Sequence, residues 1–334
     1  MGETKSHHVL ILSPFSDCKL RDLETAIDVT YESWAETRIL WDPNKLSERL
    51  VQESINILVI ESDFVFQEVF EGTPNLQFLG VCRGSTDHID IDSATKNGVI
   101  VVNTPSRNDQ AVAEHAIGLM LSLARKIPYL HQYIIKKKWE NPVEPYITMQ
   151  GIELANRTVG IIGFGAIGTR LSSVAQGLGM KCLVYDPYTS EIPKDIKSKS
   201  LECLLQISDF VTITAPLTSE TRGMFDSHRL RIMKDSSYLI NISNSEIVSE
   251  NALITALKRG ALAGAALDVF ETHPVEPTSP LLSLNNVILT PHVGGATQET
   301  IERHSNMMTS DIFRFIRGHK PKNLVNQEIW GSNV

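Results

Sequence analysis

The pattern of apolar and polar positions divides the chain into two series of short buried strands. Runs of three to five apolar residues alternate with longer stretches of helical character, which is typical of parallel sheets with crossover helices. The first series predicts strands at residues 9–12, 57–60, 78–81 and 99–102. The second series predicts strands at residues 158–162, 182–185, 210–213, 238–242, 263–267 and 287–289. We therefore predict an α/β protein with two sheets.

A long helix is predicted between the two series, at residues 110–126, ending before Pro128. Its apolar residues recur at helical spacing, at Val112, Ala116, Met120 and Leu123. This helix is either a buried core element or part of a subunit interface or domain connection. After the last strand, residues 298–317 predict a helix and an extended tail follows to residue 330. This remainder is too short for a domain, so we expect it to pack on the first one.

Length and charge agree with a two-domain enzyme. The 334 residues exceed one ordinary core, and 42% hydrophobic with 21% charged residues is the balance of a globular protein. The formal net charge of −8 argues against a nucleic-acid partner, which would require a concentrated basic surface. We expect a small-molecule substrate instead.

The four cysteines predict neither a disulfide framework nor a metal site. Cys18, Cys82, Cys182 and Cys203 are far apart and form no C-x-x-C pair. The chain begins without a secretory pattern, and no apolar run approaches the length of a membrane span. We therefore expect a cytoplasmic protein with no membrane partner and no bound metal.

A dinucleotide-binding motif lies between a predicted strand and a predicted helix. Residues Gly163-Phe164-Gly165-Ala166-Ile167-Gly168 follow the strand at 158–162 and precede a helix at 167–178. Glycines alone could mark only a tight turn, but this context favours a pyrophosphate site. The first glycine permits the turn, the second admits the pyrophosphate, and the third allows close packing of helix and strand.

The next strand ends at Asp186, 23 residues beyond Gly163. A carboxylate at this place accepts hydrogen bonds from the adenosine ribose and repels a 2′-phosphate. No arginine follows within the next four residues to offset that repulsion. The sequence therefore favours NAD over NADP, although Asp186 could alternatively cap a turn.

Several further motifs resemble those of the D-isomer-specific 2-hydroxyacid dehydrogenase family, and the resemblance covers nearly the whole chain. They lie at residues 103–105 with 111–115, at 215–218, at 264–270 and at 290–296. The resemblance implies a Rossmann-type doubly wound NAD domain, residues 106–298, inserted into a smaller flavodoxin-like substrate domain formed by 1–105 and 299–334. It also implies a cleft between the domains and a homodimer formed largely through the NAD domain.

The resemblance carries cofactor roles to individual positions of this chain. The residues implied to bind NAD are Gly163, Gly165, Ala166, Ile167, Gly168, Asp186, Pro216, Ile242, Ser243, Asp268, His292, Gly294 and Gly295.

Family catalysis, as the resemblance implies it, requires an arginine that binds the substrate carboxylate, a histidine acid/base and a glutamate that orients the histidine. His292 stands at the histidine position. Asn244 replaces the arginine and His273 replaces the glutamate. Glu271, two residues before His273, could replace the glutamate only if the loop were rearranged. A third, milder change is Thr214, at a position where many relatives have histidine.

One cation could compensate for the missing arginine. By the resemblance, Arg83, Gly84, Ser85 and His88 belong to a loop that binds substrate. Arg83 would bind an anionic group there or would form an interdomain or surface salt bridge. Arg107 is assigned to the same cleft.

Three functions remain open from the sequence. The leading hypothesis is an NAD-dependent oxidoreductase acting on an atypical hydroxy or keto substrate. A catalytically silent NAD(H)-binding homologue that acts as a sensor or binding protein, and an enzyme that retains NAD for a reaction without net redox change, are the alternatives.

Overall fold

The computed structural model describes residues 6–189 and 191–331, which form two compact units. Unit 1 contains the described residues up to Arg107 and from Thr297 onward. Unit 2 is the continuous segment Asn108–Ala296. Each unit contains one parallel sheet with apolar clusters on both faces. The predicted class, two parallel-sheet α/β domains, is confirmed.

The sheet of unit 1 has the strand order β2-β1-β3-β4-β5, which is the flavodoxin-like order. Its strands are β1 (His8–Ile11), β2 (Asp28–Tyr31), β3 (Ile57–Ile60), β4 (Phe78–Val81) and β5 (Ile100–Asn103). Its helices are α1 (Asp17–Glu24), α2 (Trp34–Thr37), α3 (Pro43–Gln52), α4 (Gln67–Gly72) and α5 (Ile91–Lys96). Strands β3 and β4 are buried at every residue, as expected of strands covered on both faces.

The sheet of unit 2 has seven parallel strands in the order β12-β11-β10-β9-β6-β7-β8. They are β6 (Thr158–Ile162), β7 (Lys181–Tyr185), β8 (Lys197–Ser198), β9 (Phe210–Ile213), β10 (Tyr238–Asn241), β11 (Gly264–Leu267) and β12 (Val287–Leu289). The order reverses between β6 and β9, so the carboxyl ends of these strands form the crevice in which doubly wound sheets bind ligands.

The helices of unit 2 include one long buried helix and several short ones. They are α6 (Asp109–Ala124), α7 (Ile127–Ile135), α8 (Glu144–Thr148), α9 (Ala166–Gly177), α10 (Leu201–Ile207), α11 (Ser227–Ile232) and α12 (Glu250–Lys258). Short 3-10 turns lie at Ser245–Ile247 and Pro280–Ser283. None of the described helices has the length and apolar character needed to cross a membrane.

The C-terminal helix α13 (Gln298–Ile316) belongs to unit 1. Its buried Met308 and Ile312 pack in the same cluster as Val9 and Val59. At Gly80 a Cβ would lie 2.3 Å from the Met308 sulfur, so the Met308 side chain occupies the space that the glycine leaves free. A 3-10 turn at Gln327–Ile329 interrupts the tail that the sequence predicted as extended.

The sequence pattern did not predict two of the strands, and the helix that it predicted at residues 110–126 ends earlier in the structure. The missed strands, β2 and β8, lie at the edges of their sheets and contain no fully buried residue, so they lack an apolar run. Helix α6 ends at Ala124, and Pro128 lies in the first turn of α7 instead of simply ending the preceding helix. The first turn tolerates proline because its N–H groups have no partner within the helix.

Candidate functional site

The glycine loop after β6 fits the pyrophosphate of a dinucleotide. Gly163 has φ +90°, and a Cβ there would lie 2.6 Å from backbone atoms of Ala215. At Gly168 a Cβ would lie 2.4 Å from the Gly163 carbonyl oxygen, which accounts for the third glycine. At Gly165, in contrast, no heavy atom lies within 4 Å of a Cβ, and α9 begins at the next residue. This open side faces a helix N-terminus, which suits an anion.

Asp186 follows β7 and holds the glycine loop by hydrogen bonds. One carboxylate oxygen accepts from the Phe164 N–H at 2.7 Å, and the other accepts from Tyr188 at 2.8 Å and Thr189 at 3.1 Å. The predicted ribose contact would therefore use the remaining acceptor capacity of a carboxylate whose position is already fixed.

The loops after β9 and β10 lie beside the glycine loop. The Thr214 hydroxyl donates to the Gly163 carbonyl at 2.7 Å, which connects the end of β9 to the predicted pyrophosphate loop. Ser243 Oγ donates to the Ala215 carbonyl. The predicted cofactor residues Pro216, Ile242 and Ser243 thus belong to two neighbouring loops at one edge of the sheet.

Asn244 begins the 3-10 turn after β10. Its side-chain oxygen accepts from the Glu246 N–H at 2.9 Å, and its carbonyl accepts from the buried Asn241 side chain at 2.9 Å. Because the amide oxygen caps the turn, the side chain can offer a ligand N–H donors but no positive charge.

Asp268 is buried at the end of β11 and binds the loop that follows β12. It accepts from the Thr290 hydroxyl at 2.6 Å and from the N–H groups of Val293 at 3.0 Å and Gly294 at 2.8 Å. Burial raises the pKa of Asp268, but the hydrogen bonds from His115, Thr290 and these two N–H groups outweigh burial and lower it to about 2. The carboxylate is therefore charged at neutral pH.

His292 lies within this loop, next to His273. Its backbone has φ 54°, a left-handed conformation that costs a non-glycine residue energy and is found preferentially at functional sites. The His273 and His292 ring centroids are 5.4 Å apart, with ring planes inclined at 45°. Both residues are exposed. The two predicted catalytic histidines are therefore neighbours.

Glu271 lies close to a second carboxylate, that of Glu250. It lines a small cavity with Asn241, Ser245 and Glu250. Burial raises the pKa of Glu250, and the charge of Glu271 raises it further. The Glu271 carboxylate thus interacts with Glu250.

The remaining predicted residues belong to unit 1. Arg83, Gly84 and Ser85 are exposed in the loop after β4, and in the described parts of the chain Arg83 pairs with no carboxylate. His88 is 8% exposed, and its Nε2 has no hydrogen-bond partner among the described residues. Burial, and secondarily the charge of Arg83, lowers the pKa of His88 to about 4.

Arg107 is bound by side chains of its own unit. Its guanidinium donates to Glu61 at 2.5 Å and to His304 Nδ1 at 2.7 Å, and its carbonyl accepts from Arg303 at 2.6 Å. Both partners of the Arg107–Glu61 pair are largely buried. Arg107 therefore has a structural role within unit 1.

Sequence reasoning assigned no role to His115 or Thr290, although both bind the loop that carries His292. His115 Nε2 lies 3.1 Å from the Thr290 hydroxyl and 3.5 Å from Asp268. His115 lies on α6 three residues after Val112 and four before Leu119. This spacing places a polar ring on the buried face of the helix, and it was the sequence signal that could have identified His115.

Comparison with known proteins gives similarity along most of the chain. A model described as "D-isomer specific 2-hydroxyacid dehydrogenase, NAD binding domain" matches residues 117–294. The glyoxylate reductase of Korarchaeum cryptofilum is 38% identical over 298 residues, which are 87% of this chain and 90% of that protein. The D-3-phosphoglycerate dehydrogenase of Archaeoglobus fulgidus is 35% identical over 324 residues, 95% of this chain and 59% of that protein. The crystal structure of the TT0316 protein from Thermus thermophilus superposes with a TM-score of 0.85 at 29% identity, covering 95% of this chain and 99% of that one.

Proposed function

Since this chain belongs to the D-isomer specific 2-hydroxyacid dehydrogenases, we propose that it transfers a hydride between NAD(H) and a hydroxy or keto substrate, with His292 as acid and base. The predictions of the family, of an oxidoreductase and of NAD as cofactor are confirmed. The observation that carries the proposed role of His292 is its fixed place in the loop bound to Asp268.

The residues of unit 2 divide the chemistry between them. The bound cofactor supplies or accepts the hydride at its nicotinamide ring. We assign the binding of its pyrophosphate to the loop at 163–168 and of its ribose to Asp186. Reduction develops negative charge on the carbonyl oxygen, so His292 donates a proton to that oxygen, and in the oxidation direction it accepts one.

The substrate we propose differs from a simple small 2-keto acid. The side chain of Asn244 offers only neutral N–H donors, since its oxygen caps the 3-10 turn. The loss of a charged partner for a carboxylate weakens binding by roughly 2 to 5 kcal/mol. We therefore expect a substrate whose group beside the carbonyl is neutral, or whose anionic group binds elsewhere.

Arg83 is the residue we propose for such an anionic group, together with Gly84, Ser85 and His88. The exposed guanidinium of Arg83 has no carboxylate partner in residues 6–189 and 191–331. It therefore retains its capacity for a bidentate contact with a carboxylate or phosphate.

His273 in place of a glutamate changes the acid/base pair. A carboxylate would favour protonation of His292, whereas a second imidazole with its centroid 5.4 Å away does not.

The assembly we propose is a homodimer. Apolar side chains that are at least half exposed are concentrated on the segment that contains α7 and α8, where no residue is buried, at Ile127, Tyr129, Ile134, Ile135, Trp139, Val143, Tyr146 and Ile147. Such a patch requires a partner. A second copy of the chain is the occupant we propose. We also propose a cytoplasmic location, since the four cysteines are all free thiols.

The test is NADH oxidation with a panel of ketones and aldehydes that includes neutral and anionic members. We expect turnover with at least one member and a loss of about 10²- to 10⁴-fold for His292→Gln, with unchanged NADH binding. Tight NADH binding without any turnover would instead identify a silent NAD(H)-binding protein. Turnover without net NADH change would identify an enzyme that retains NAD for a reaction without net redox change.

A further inference from the structure

The loop that carries His292 is fixed by a side chain from a distant helix. His115 on α6 places Nε2 3.1 Å from the Thr290 hydroxyl and 3.5 Å from Asp268 Oδ1. The Thr290 hydroxyl in turn lies 2.6 Å from the same carboxylate oxygen. The His115 ring, the Thr290 hydroxyl and Asp268 therefore form one polar network inside unit 2.

The direction of each hydrogen bond in this network follows from the number of protons. Asp268 is ionised and can only accept, so the 2.6 Å contact requires the single proton of the Thr290 hydroxyl. The Thr290 oxygen must then accept from His115. His115 consequently has its hydrogen on Nε2 and donates it toward the loop.

His115 also contacts the loop by packing. A Cβ at Gly294 would lie 3.4 Å from His115 Cδ2 and 3.0 Å from Asp268 Oδ2, so ring, carboxylate and glycine backbone are in close contact. The N–H groups of Val293 and Gly294 bind the same carboxylate, and the His292 N–H donates to the Thr290 carbonyl at 2.9 Å. His292 thus lies between residues that His115 and Asp268 hold in place.

We propose that His115 is a positioning residue that sets the direction of the His292 imidazole through Thr290 and Gly294. This inference rests on the proposed role of His292. It adds to that role a residue outside the loop, acting through a hydroxyl and a ring contact.

Two substitutions separate the hydrogen bond from the packing. His115→Phe keeps a ring against Gly294 and removes the donor, while His115→Gln keeps a donor. His319→Gln, at an exposed histidine of unit 1, is the control. With the substrate that the wild type turns over best, we expect His115→Phe to lower kcat by about 10- to 100-fold with the KM for NADH within about twofold, and His115→Gln to recover most of it.

A second measurement needs no activity. In protein labelled at histidine Cε1, the His292 resonance is the one lost in His292→Gln. We expect this resonance to shift or broaden in His115→Phe and in Thr290→Val, which removes the same hydroxyl without altering His115, and to stay unchanged in His319→Gln.

The outcomes distinguish this inference from the proposed function. An unchanged His292 resonance in folded His115→Phe, or in Thr290→Val should His115→Phe not fold, overturns the positioning role even if the enzyme is active. A wild type without turnover contradicts the proposed function, while the resonance still decides the role of His115. Equal kcat in His115→Phe and the wild type overturns the positioning role of His115 as well.

Discussion

His304 is a fully buried histidine whose surroundings require it to be neutral. Its Nδ1 accepts from Arg107 at 2.7 Å, and its Nε2 lies 2.7 Å from the Pro14 carbonyl, to which it donates. Burial, and next the charge of Arg107, lowers the pKa of His304 from 6.5 to about 4. Above pH 6.5 the ring is neutral in both states, whereas between pH 6.5 and 4 only the unfolded chain binds the proton.

The fold should therefore lose stability as the pH falls through this window. A pKa shift of this size corresponds to a contribution of about 3 kcal/mol to the free energy of unfolding. This contribution is fully present above pH 6.5 and is lost by about pH 4. Urea unfolding of wild type and His304→Gln at pH 7 and pH 4.5 measures it. We expect the free energy of unfolding to fall more between the two pH values in the wild type than in His304→Gln. An equal fall in both proteins would show that His304 does not contribute to the pH dependence of stability.

Asp186 should determine cofactor choice. We expect at least tenfold tighter binding of NADH than of NADPH by calorimetry, because about 1.4 kcal/mol of repulsion against a 2′-phosphate suffices for that ratio. Asp186→Asn should reduce the ratio, with Glu191→Gln as a control on a nearby exposed carboxylate. Equal affinities of the wild type for both cofactors would contradict the assignment.

Single residues were predictable where a motif fixes their place in the chain. Gly163 and Asp186 could be proposed for the cofactor site because each follows a predicted strand at a recognisable spacing, and His292 could be proposed because its flanking motif resembles that of the family. For His115 the helical spacing indicated a position on the buried face of α6, but its partner Thr290 could not be predicted, because it is 175 residues away and only the folded sheet brings the two together. Sequence alone could not show that Glu61 and His304 bind the guanidinium of Arg107.

At the scale of elements, the loop between β6 and α9 offers a matched test. Gly163→Ala places a methyl group 2.6 Å from the Ala215 backbone at φ +90°, so we expect a destabilisation of roughly 1 to 3 kcal/mol. Gly165→Ala meets no atom within 4 Å and should leave stability nearly unchanged, yet weaken NADH binding at least tenfold by occupying the pyrophosphate position.

The control for this pair is Gly177→Ala at the other end of α9, where a Cβ also meets nothing. It should leave NADH affinity unchanged and keep or slightly raise the midpoint of thermal unfolding, because alanine favours the helix more than glycine does. If Gly165→Ala binds NADH as tightly as Gly177→Ala does, the pyrophosphate does not lie on this loop.

Elements with continuous apolar runs were predicted closely, and those without were missed. The strands β3, β4, β6 and β9 have the predicted bounds because burial on both faces makes most of their residues apolar. The edge strand β8 has two residues, both exposed, and thus gives no such pattern.

The whole molecule should be a dimer through the exposed apolar residues of the α7 and α8 segment. The four apolar positions of α6 predicted at helical spacing are buried, so the exposed apolar residues that follow this helix are the surface we propose for the interface. Ile135→Glu combined with Tyr146→Glu should give a monomer at micromolar concentration, with exposed Leu282→Glu as control. A wild type that is already monomeric by light scattering would contradict this.

The most direct test of the account is reduction of glyoxylate and pyruvate by NADH in four proteins: wild type, Asn244→Arg, His273→Glu and the double variant. Arginine alone adds a cation beside two imidazoles, and glutamate alone leaves the keto acid unanchored. Because such groups act as a unit, we expect slow wild-type reduction and a gain in the double variant far above the product of the single gains. Wild-type turnover of these acids at about 10 s⁻¹ or above, an ordinary rate for enzymes, would contradict it.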